Sequence, residues 1–204
     1  MGIASKSNNG IIIGRMGNTV GYMLNGQYVV RSLPDKTHRA PSQLTLINRE
    51  RMKVTSVFLR PLKHILEFGY QSIAPKGSRI GPFQAAQSYV FKNALDYGEN
   101  NVPYVNPEKV LVFRGPLGRP QEFTVVRNGR VLDFTWKKEQ HCILVMLAYE
   151  EEYPHSILFK QHGPAAEDGA FSWDIGSRDN VYIYAAFYRI ISGELSDSVY
   201  GGKV

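Results

Sequence analysis

HCILVMLAY, residues 141–149, is the stretch of sequence that decides the fold, because it is apolar at nearly every position. Successive side chains of a β-strand point to opposite faces of its sheet, so a strand formed here has two apolar faces. Residues 181–191, VYIYAAFYRII, repeat the pattern. A sandwich strand normally has one face in water, and these two strands therefore require a cover on the outer face of their sheet. We expect that cover to be the helix predicted earlier in the chain, with a neighbouring subunit as the alternative.

The C-terminal part of the chain, from about residue 108, alternates short apolar runs with turns. Asn128-Gly129 lies between two of these runs and favours a tight hairpin, because both residue types tolerate positive φ. Seven or eight strands in about a hundred residues are typical of an Ig-like antiparallel β-sandwich, in which Trp136 is expected to fill the core between the sheets. The predicted strands are residues 110–113, 123–127, 130–136, 142–149, 156–160, 170–173, 181–191 and 198–200.

The N-terminal part is rich in glycine and predicts a hairpin followed by two helices. Asn25-Gly26 marks the turn of a hairpin over about residues 18–32. Ser42 is a suitable N-cap for a helix that follows it directly. Pro61 should kink or divide that helix, because proline removes a backbone donor and clashes with the preceding turn. A second, shorter helix is predicted over residues 82–95, where apolar residues recur at helical spacing.

The first predicted helix has two distinct faces. At about 100° per residue, one face is apolar and is assigned to the core; it comprises Ile47, Val54, Phe58, Leu62 and Ile65. The opposite face is basic and is the candidate interaction surface; it comprises Arg49, Lys53, Arg60 and Lys63. Such a face is either solvated or a site for a polyanion or an acidic partner. Arg51 falls within the apolar face, where it must reach solvent along its aliphatic stem or meet a buried partner.

The charge distribution separates the chain into two unlike halves. Residues 1–97 hold 13 Lys and Arg against 4 Asp and Glu, which makes them basic by +9. Residues 98–204 hold 11 against 14 and are acidic by −3. The combined pattern predicts an α+β, mostly β fold. In it, residues 1–107 form a basic Gly-rich hairpin and helix pair, packed on an Ig-like antiparallel β-sandwich of residues 108–204.

Eight short segments of the sequence also carry a family resemblance. They lie at residues 14–22, 25–34, 42–51, 58–62, 83–89, 92–94, 109–115 and 196–200. In these segments the chain resembles an uncharacterised family of Bacteroidetes-type bacterial proteins of about this length, which share a domain of unknown function. Ser42 stands where that family more often has threonine, a difference that keeps the cap. The resemblance implies a Gly-rich hairpin, a helix pair and an Ig-like or fibronectin-like C-terminal part, and it implies no catalytic residues.

The residue types that carry chemistry show no recognisable catalytic or cofactor pattern. The glycines are not followed by the Lys-Ser or Lys-Thr of a phosphate-binding loop, and they do not form a dinucleotide fingerprint. Cys142 and His141 are neighbours on a strand and point to opposite faces, so they do not pair as nucleophile and base. The five histidines and single cysteine lack the spacing of a zinc site. Residues 150–152, all glutamate, are expected to form a solvated turn, with binding of a cation or a basic patch as the alternative. We therefore predict no catalytic residue, no cofactor and no metal.

The leading functional prediction is a non-enzymatic structural or assembly protein. It would associate with itself or with other structural proteins, as part of a larger particle such as a bacterial or phage assembly, a virion or a surface structure. The alternative is a nucleic-acid-binding protein that uses the basic face of the first helix. No apolar run approaches the length of a membrane span or of a signal-peptide core. We therefore expect cytoplasmic synthesis without export.

Overall fold

The computed structural model describes residues 5–6, 12–24, 27–34, 40–74, 80–150 and 156–204. Within these ranges the chain is mostly β, with several antiparallel sheets and three α-helices. The helices are α1 (Gln43–Leu59), α2 (Lys63–Gly69) and α3 (Pro82–Asn93). The strands are β1 (Ser5–Lys6), β2 (Ile12–Met16), β3 (Thr19–Leu24), β4 (Gln27–Ser32), β5 (Leu95–Tyr97), β6 (Pro103–Val105), β7 (Thr124–Asn128), β8 (Val131–Thr135), β9 (Ile143–Glu150), β10 (Ile157–Lys160), β11 (Ala170–Asp174), β12 (Val181–Arg189), β13 (Glu194–Leu195) and β14 (Val199–Lys203).

The N-terminal strands form a sheet of their own, in the order β1-β2-β3-β4. β3 and β4 are the two strands of the predicted hairpin and pair in antiparallel register, with Gly21 opposite Val30. The turn between them, Asn25-Gly26, lies outside the described residues. β2 joins β3 through a tight turn in which Gly17 adopts a φ of 57°, a conformation that favours glycine. The hairpin is predicted to pack on the sandwich, but neither hydrophobic core of the described residues includes any part of residues 12–34.

The sequence signals place the helices correctly, except that α3 ends at Asn93 and Leu95, predicted as its last residue, begins β5. Ser42 caps α1, since its Oγ accepts a hydrogen bond from the backbone N–H of Thr45 at 3.3 Å. Pro61 lies between α1 and α2, so it divides the predicted helix. α3 begins at Pro82, a position where the missing N–H removes no helical hydrogen bond. α1 and α2 both pack on α3, and the three helices form one layer.

The helix layer covers one face of a five-stranded sheet. The order of this sheet is β10-β9-β12-β13, with β14 paired to β12. On the covered face β9 presents Val145, Leu147 and Tyr149, which are buried in the same core as Phe58 and Leu62 of the helical part. The ring of Phe58 meets that of Tyr149 edge to face, with the centroids 5.8 Å apart. The prediction that a helix of the same chain covers the doubly apolar strands is therefore confirmed.

The other face of the five-stranded sheet meets a three-stranded sheet of order β11-β8-β7. The core between them contains Leu144 and Met146 of β9 together with Leu132 and Phe134 of β8. Trp136 is 5% exposed in this core, and its Nε1 donates a hydrogen bond to a backbone carbonyl at 2.9 Å, as expected for an aromatic side chain that fills the interior. The helices, the five-stranded sheet and the three-stranded sheet are thus stacked as three layers.

One predicted strand, at residues 110–113, is wrong. The segment is buried, but its backbone groups form hydrogen bonds with groups that do not belong to a neighbouring strand. The N–H of Val112 donates to Ser198 Oγ at 3.0 Å, and Tyr70 Oη donates to the carbonyl of Leu111 at 2.9 Å. Side chains elsewhere in the fold satisfy backbone groups that a strand would have paired, and the apolar run is a buried connection.

The apolar face of α1 is longer than the core on which it packs. Ile47, Val54 and Phe58 lie on that face. Phe58 is 7% exposed and Val54 is half-buried, whereas Ile47 is 46% exposed and every residue from 41 to 50 is exposed. The prediction that Ile47 belongs to the core is therefore wrong. Helical periodicity identifies the apolar face of a helix, but it does not show where the rest of the chain stops covering it.

Candidate interaction surface

The four basic residues predicted as an interaction surface are all exposed. Arg49 and Lys53 lie on α1, Arg60 is the residue that caps its C-terminus, and Lys63 begins α2. Helical periodicity predicts that these four residues share one continuous face, but in the structure they are divided between two helices. None of the four forms an ion pair within the described part of the chain. The positive charge of this region is thus directed to solvent.

Arg51 lies half-buried between α1 and α3. Its Nη2 donates to the carbonyl of Phe91 at 3.3 Å, and the guanidinium lies 4.4 Å from the centroid of the Phe91 ring. Its Nη1 reaches Asn48 Oδ1 at 3.4 Å, while the buried Nε has no hydrogen-bond partner among the described residues. The sequence predicts that Arg51 either reaches solvent or meets a buried partner, and in the structure it meets Phe91. This cation–π contact holds α1 against α3 at the N-terminal end of the packed part of α1.

Exposed apolar side chains occur both on the first part of α1 and on the N-terminal sheet. On α1, Leu44 is 67% exposed and both Leu46 and Ile47 are 46% exposed. On the sheet, Met16 is 54%, Met23 46% and Val30 55% exposed. These side chains are here named the N-terminal apolar residues: Met16, Met23, Val30, Leu44, Leu46 and Ile47.

Two of the most exposed apolar side chains of the sheet, those of Met23 and Val30, share one of its faces. Val30 is opposite Gly21, and Met23 follows Gly21 by two positions on β3. Because residues two apart on a strand share a face, Met23 and Val30 lie on the same side of the sheet. This face therefore presents apolar side chains to solvent.

A groove of about 750 Å³ lies between α1 and the segment that carries β6. Val57 on α1 is 66% exposed and Val102 on the facing segment is 59% exposed, although both line an apolar concave surface. Glu50 and Lys53 also line the groove. The principal apolar residues of its walls are Val54, Val57, Val102, Tyr104, Tyr149 and Tyr182. A concave apolar surface of this size can take up side chains of a partner.

The reactive groups of the described residues are dispersed. Those residues contain no group of three or more His, Cys, Asp or Glu side chains that could hold a metal ion. Burial raises the pKa of the Cys142 thiol, against an opposing effect of Arg189, so the reactive thiolate is disfavoured. His141 is exposed beside it. None of the described helices is long and apolar enough to cross a lipid bilayer.

Sequence reasoning missed the groove and, apart from Ile47, the N-terminal apolar residues. A signal for the sheet was present, because residues 22–24 and 28–30 are apolar at consecutive positions. The same feature in residues 141–149 correctly predicted a strand that needs covering on both faces. The groove gave no such signal, since Val57 and Val102 are brought together only by the tertiary fold.

Over the residues that the structure describes, the protein is a mostly β chain with a layer of helices and with exposed apolar side chains on the start of α1 and on the N-terminal sheet. Comparison with known families shows that residues 10–142 match a family of unknown function, DUF6266. The match includes well over half of the chain, and the protein belongs to this family. The resemblance to an uncharacterised domain family is therefore confirmed at that level. No curated protein and no solved structure matches the chain.

Proposed function

We propose that the protein is a non-enzymatic structural or assembly protein that associates with itself through its N-terminal apolar residues. The observation that carries this proposal is the apolar face of α1. Toward the N-terminus of the helix this face continues to Ile47 and Leu44, past the part of α1 that packs on the core. An apolar helix face is normally buried against another element. Exposed apolar surface on a folded chain marks a place where a partner binds.

The N-terminal sheet supports the same proposal. A small sheet requires packing on at least one face to be stable, and here Met23 and Val30 face solvent on a shared side. A second copy of the chain is the partner that the charges favour, because the half with +9 can meet the half with −3 of another copy. Repetition of one such contact would build the larger particle that we predict from the sequence.

The basic residues favour a second candidate function, which is binding to nucleic acid. Arg49, Lys53, Arg60 and Lys63 are exposed and form no ion pairs in the described ranges. If all four neutralised phosphates of duplex DNA, the log–log salt slope of the affinity would be roughly −3.6. We rank this function second, because the single aromatic residue of α1 is the buried Phe58, whereas proteins that bind single strands stack bases on exposed aromatic side chains.

We also propose that the two stacked sheets form an Ig-like sandwich, as the resemblance to Bacteroidetes-type proteins implies. Antiparallel pairing in both sheets and the buried Trp136 support this assignment. With the helices on its outer face, such a sandwich would be a rigid base from which α1 presents Leu44, Leu46 and Ile47 to a partner.

Light scattering at low and high salt, with and without duplex DNA, separates the two functions. We expect the mass of the protein to rise with its concentration in the absence of DNA. Ile47→Glu and Met23→Glu should each weaken association about tenfold or more, because a carboxylate would have to be buried in the contact. Ile191→Glu is the matched control, since Ile191 is 96% exposed and lies outside this surface. A monomer that binds DNA with a slope near −3.6 would instead establish the second function.

A further inference from the structure

We infer that β4, the outer strand of the N-terminal sheet, pairs edge to edge and antiparallel with β4 of a second copy of this chain. The inference rests on the proposed self-association and specifies how two copies join. Among the described residues the order of this sheet is β1-β2-β3-β4, so β4 has β3 on one side and an open edge on the other. An open edge offers backbone donors and acceptors to another strand.

The hydrogen bonds between β3 and β4 show which backbone groups of β4 face outward. In an antiparallel pair, residues that exchange two backbone hydrogen bonds with the partner strand alternate with residues that exchange none. The N–H of Leu33 donates to the carbonyl of Asn18 at 2.7 Å, so the bonded positions are every second residue before Leu33. Arg31 therefore bonds to β3, whereas Val30 and Ser32 direct their backbone groups away from it.

β4 is the longest edge strand in the part of the chain that the structure describes. It has six residues and pairs with β3 without a shift of register. The other outer strands have two to five residues: β1, β5, β6, β7, β10, β11, β13 and β14. Edge strands are commonly protected by short length, lysine, proline or a bulge, and residues 27–32, QYVVRS, contain neither lysine nor proline.

The symmetry of a contact between two identical strands limits its register. Outward-facing residues must lie opposite outward-facing residues, so the two-fold axis passes through a residue position. Centring the pair on Val30 overlaps residues 27–33 of both copies and sets Arg31 opposite Val29. Centring it on Val29 shortens the overlap to residues 27–31. Centring it on Arg31 sets two like charges directly opposite each other, which destabilises a sheet. The two strands are therefore centred on Val30.

This contact joins the two apolar sheet faces. Directly opposite residues of an antiparallel pair share a face, so Met23 and Val30 of both copies lie on the same side of one continuous sheet. Val30, which is 55% exposed in one copy, gains the second Val30 as a cross-strand neighbour. Backbone hydrogen bonds contribute little net free energy, because water must be released from both strands. Burial of the N-terminal apolar residues therefore remains the driving force, and the strand edge fixes the geometry.

Disulfide formation between copies of a single-cysteine variant tests the edge contact. Val30→Cys places two thiols opposite each other with Cα atoms about 5.5 Å apart, a distance that a disulfide spans. Met23→Cys is the matched control, because Met23 is similarly exposed on the same face. The two copies of β3 would be separated by three strand spacings of about 4.8 Å, which a disulfide cannot span. We expect Val30→Cys to link at least tenfold faster than Met23→Cys. Native Cys142 is buried, and the wild-type chain measures its background.

A proline substitution separates backbone pairing from side-chain packing. Val30→Pro removes the outward N–H and leaves the bonds to β3 and an apolar side chain in place. Val30→Thr is the matched control, since it keeps the N–H and the branched shape but adds a hydroxyl. We expect Val30→Pro to weaken association at least fivefold more than Val30→Thr does, as measured by sedimentation of the full chain. Circular dichroism at a concentration too low for association shows whether each variant is folded.

The outcomes distinguish this inference from the proposal on which it rests. Equal linking of Val30→Cys and Met23→Cys would show that the sheets do not meet at their edges, which would overturn the inference and leave self-association intact. A folded Val30→Pro chain that associates as strongly as the wild type would overturn it as well. If Val30→Pro does not fold, the comparison of the two cysteine variants decides. A wild-type chain that stays monomeric would refute the proposed function itself.

Discussion

Phe58 and Ile47 lie on the same face of α1, yet their truncation should have opposite consequences. Phe58 is 7% exposed and packs edge to face on Tyr149, so Phe58→Ala should cost about 3–5 kcal/mol of unfolding free energy. Ile47 is 46% exposed with no covering element, so Ile47→Ala should change the stability of the monomer by less than about 0.5 kcal/mol. Alanine also has the higher helix propensity, which offsets part of any loss.

Urea denaturation measures this difference directly. With a denaturant dependence of about 2 kcal/mol/M, a loss of 4 kcal/mol corresponds to a midpoint about 2 M lower for Phe58→Ala. The urea titrations should be made at a protein concentration too low for the chain to associate, because a bound second copy would raise the apparent free energy of unfolding. An Ile47→Ala midpoint that falls as far as that of Phe58→Ala would show that the chain itself buries Ile47, which would refute the reasoning about the uncovered face.

Three further predictions concern single groups. Cys142 should react with a polar thiol reagent far more slowly in the native than in the unfolded chain, because it is buried and the raised pKa of its thiol disfavours the thiolate; native labelling at the unfolded rate would contradict this. Hydrogen bonds from Lys109 and Asn106 lower the folded-state pKa of Asp96, so its stabilisation is full above the unfolded pKa and is lost as pH falls through the folded pKa. Asp96→Asn should therefore destabilise the chain at neutral pH and progressively less in acid, which urea titrations at several pH values would detect. Ser42→Ala removes the cap of α1 and should cost about 1 kcal/mol, whereas Ser42→Thr should retain most of the stability.

Local chemistry made several elements predictable from the sequence. Ser42 and Pro61 delimit helices because one supplies a missing hydrogen-bond acceptor and the other removes a donor. Residues 141–149 have two apolar faces, and this correctly required a layer on each side of the central sheet. The mostly β character and the antiparallel pairing followed from the same alternation and from turn residues such as Asn128-Gly129.

Features that depend on distant residues could not be predicted in the same way. Residues 110–113 are as apolar as a strand, but their backbone groups bond to Ser198 and Tyr70, which the local sequence does not reveal. Ile47 has the phase of a core residue, and only the tertiary fold shows that the body ends before it. The groove is likewise formed by residues far apart in the chain, so its apolar character has no local signature.

Sedimentation equilibrium of the wild-type chain over a wide range of concentrations tests the central claim most directly. The claim is that a second copy covers the N-terminal apolar residues. We predict that the average mass rises from that of the 23.0 kDa monomer to at least twice this value, and that Ile47→Glu remains close to the monomer mass at the same concentrations. A wild-type mass that stays at 23.0 kDa up to the highest concentration would contradict the claim.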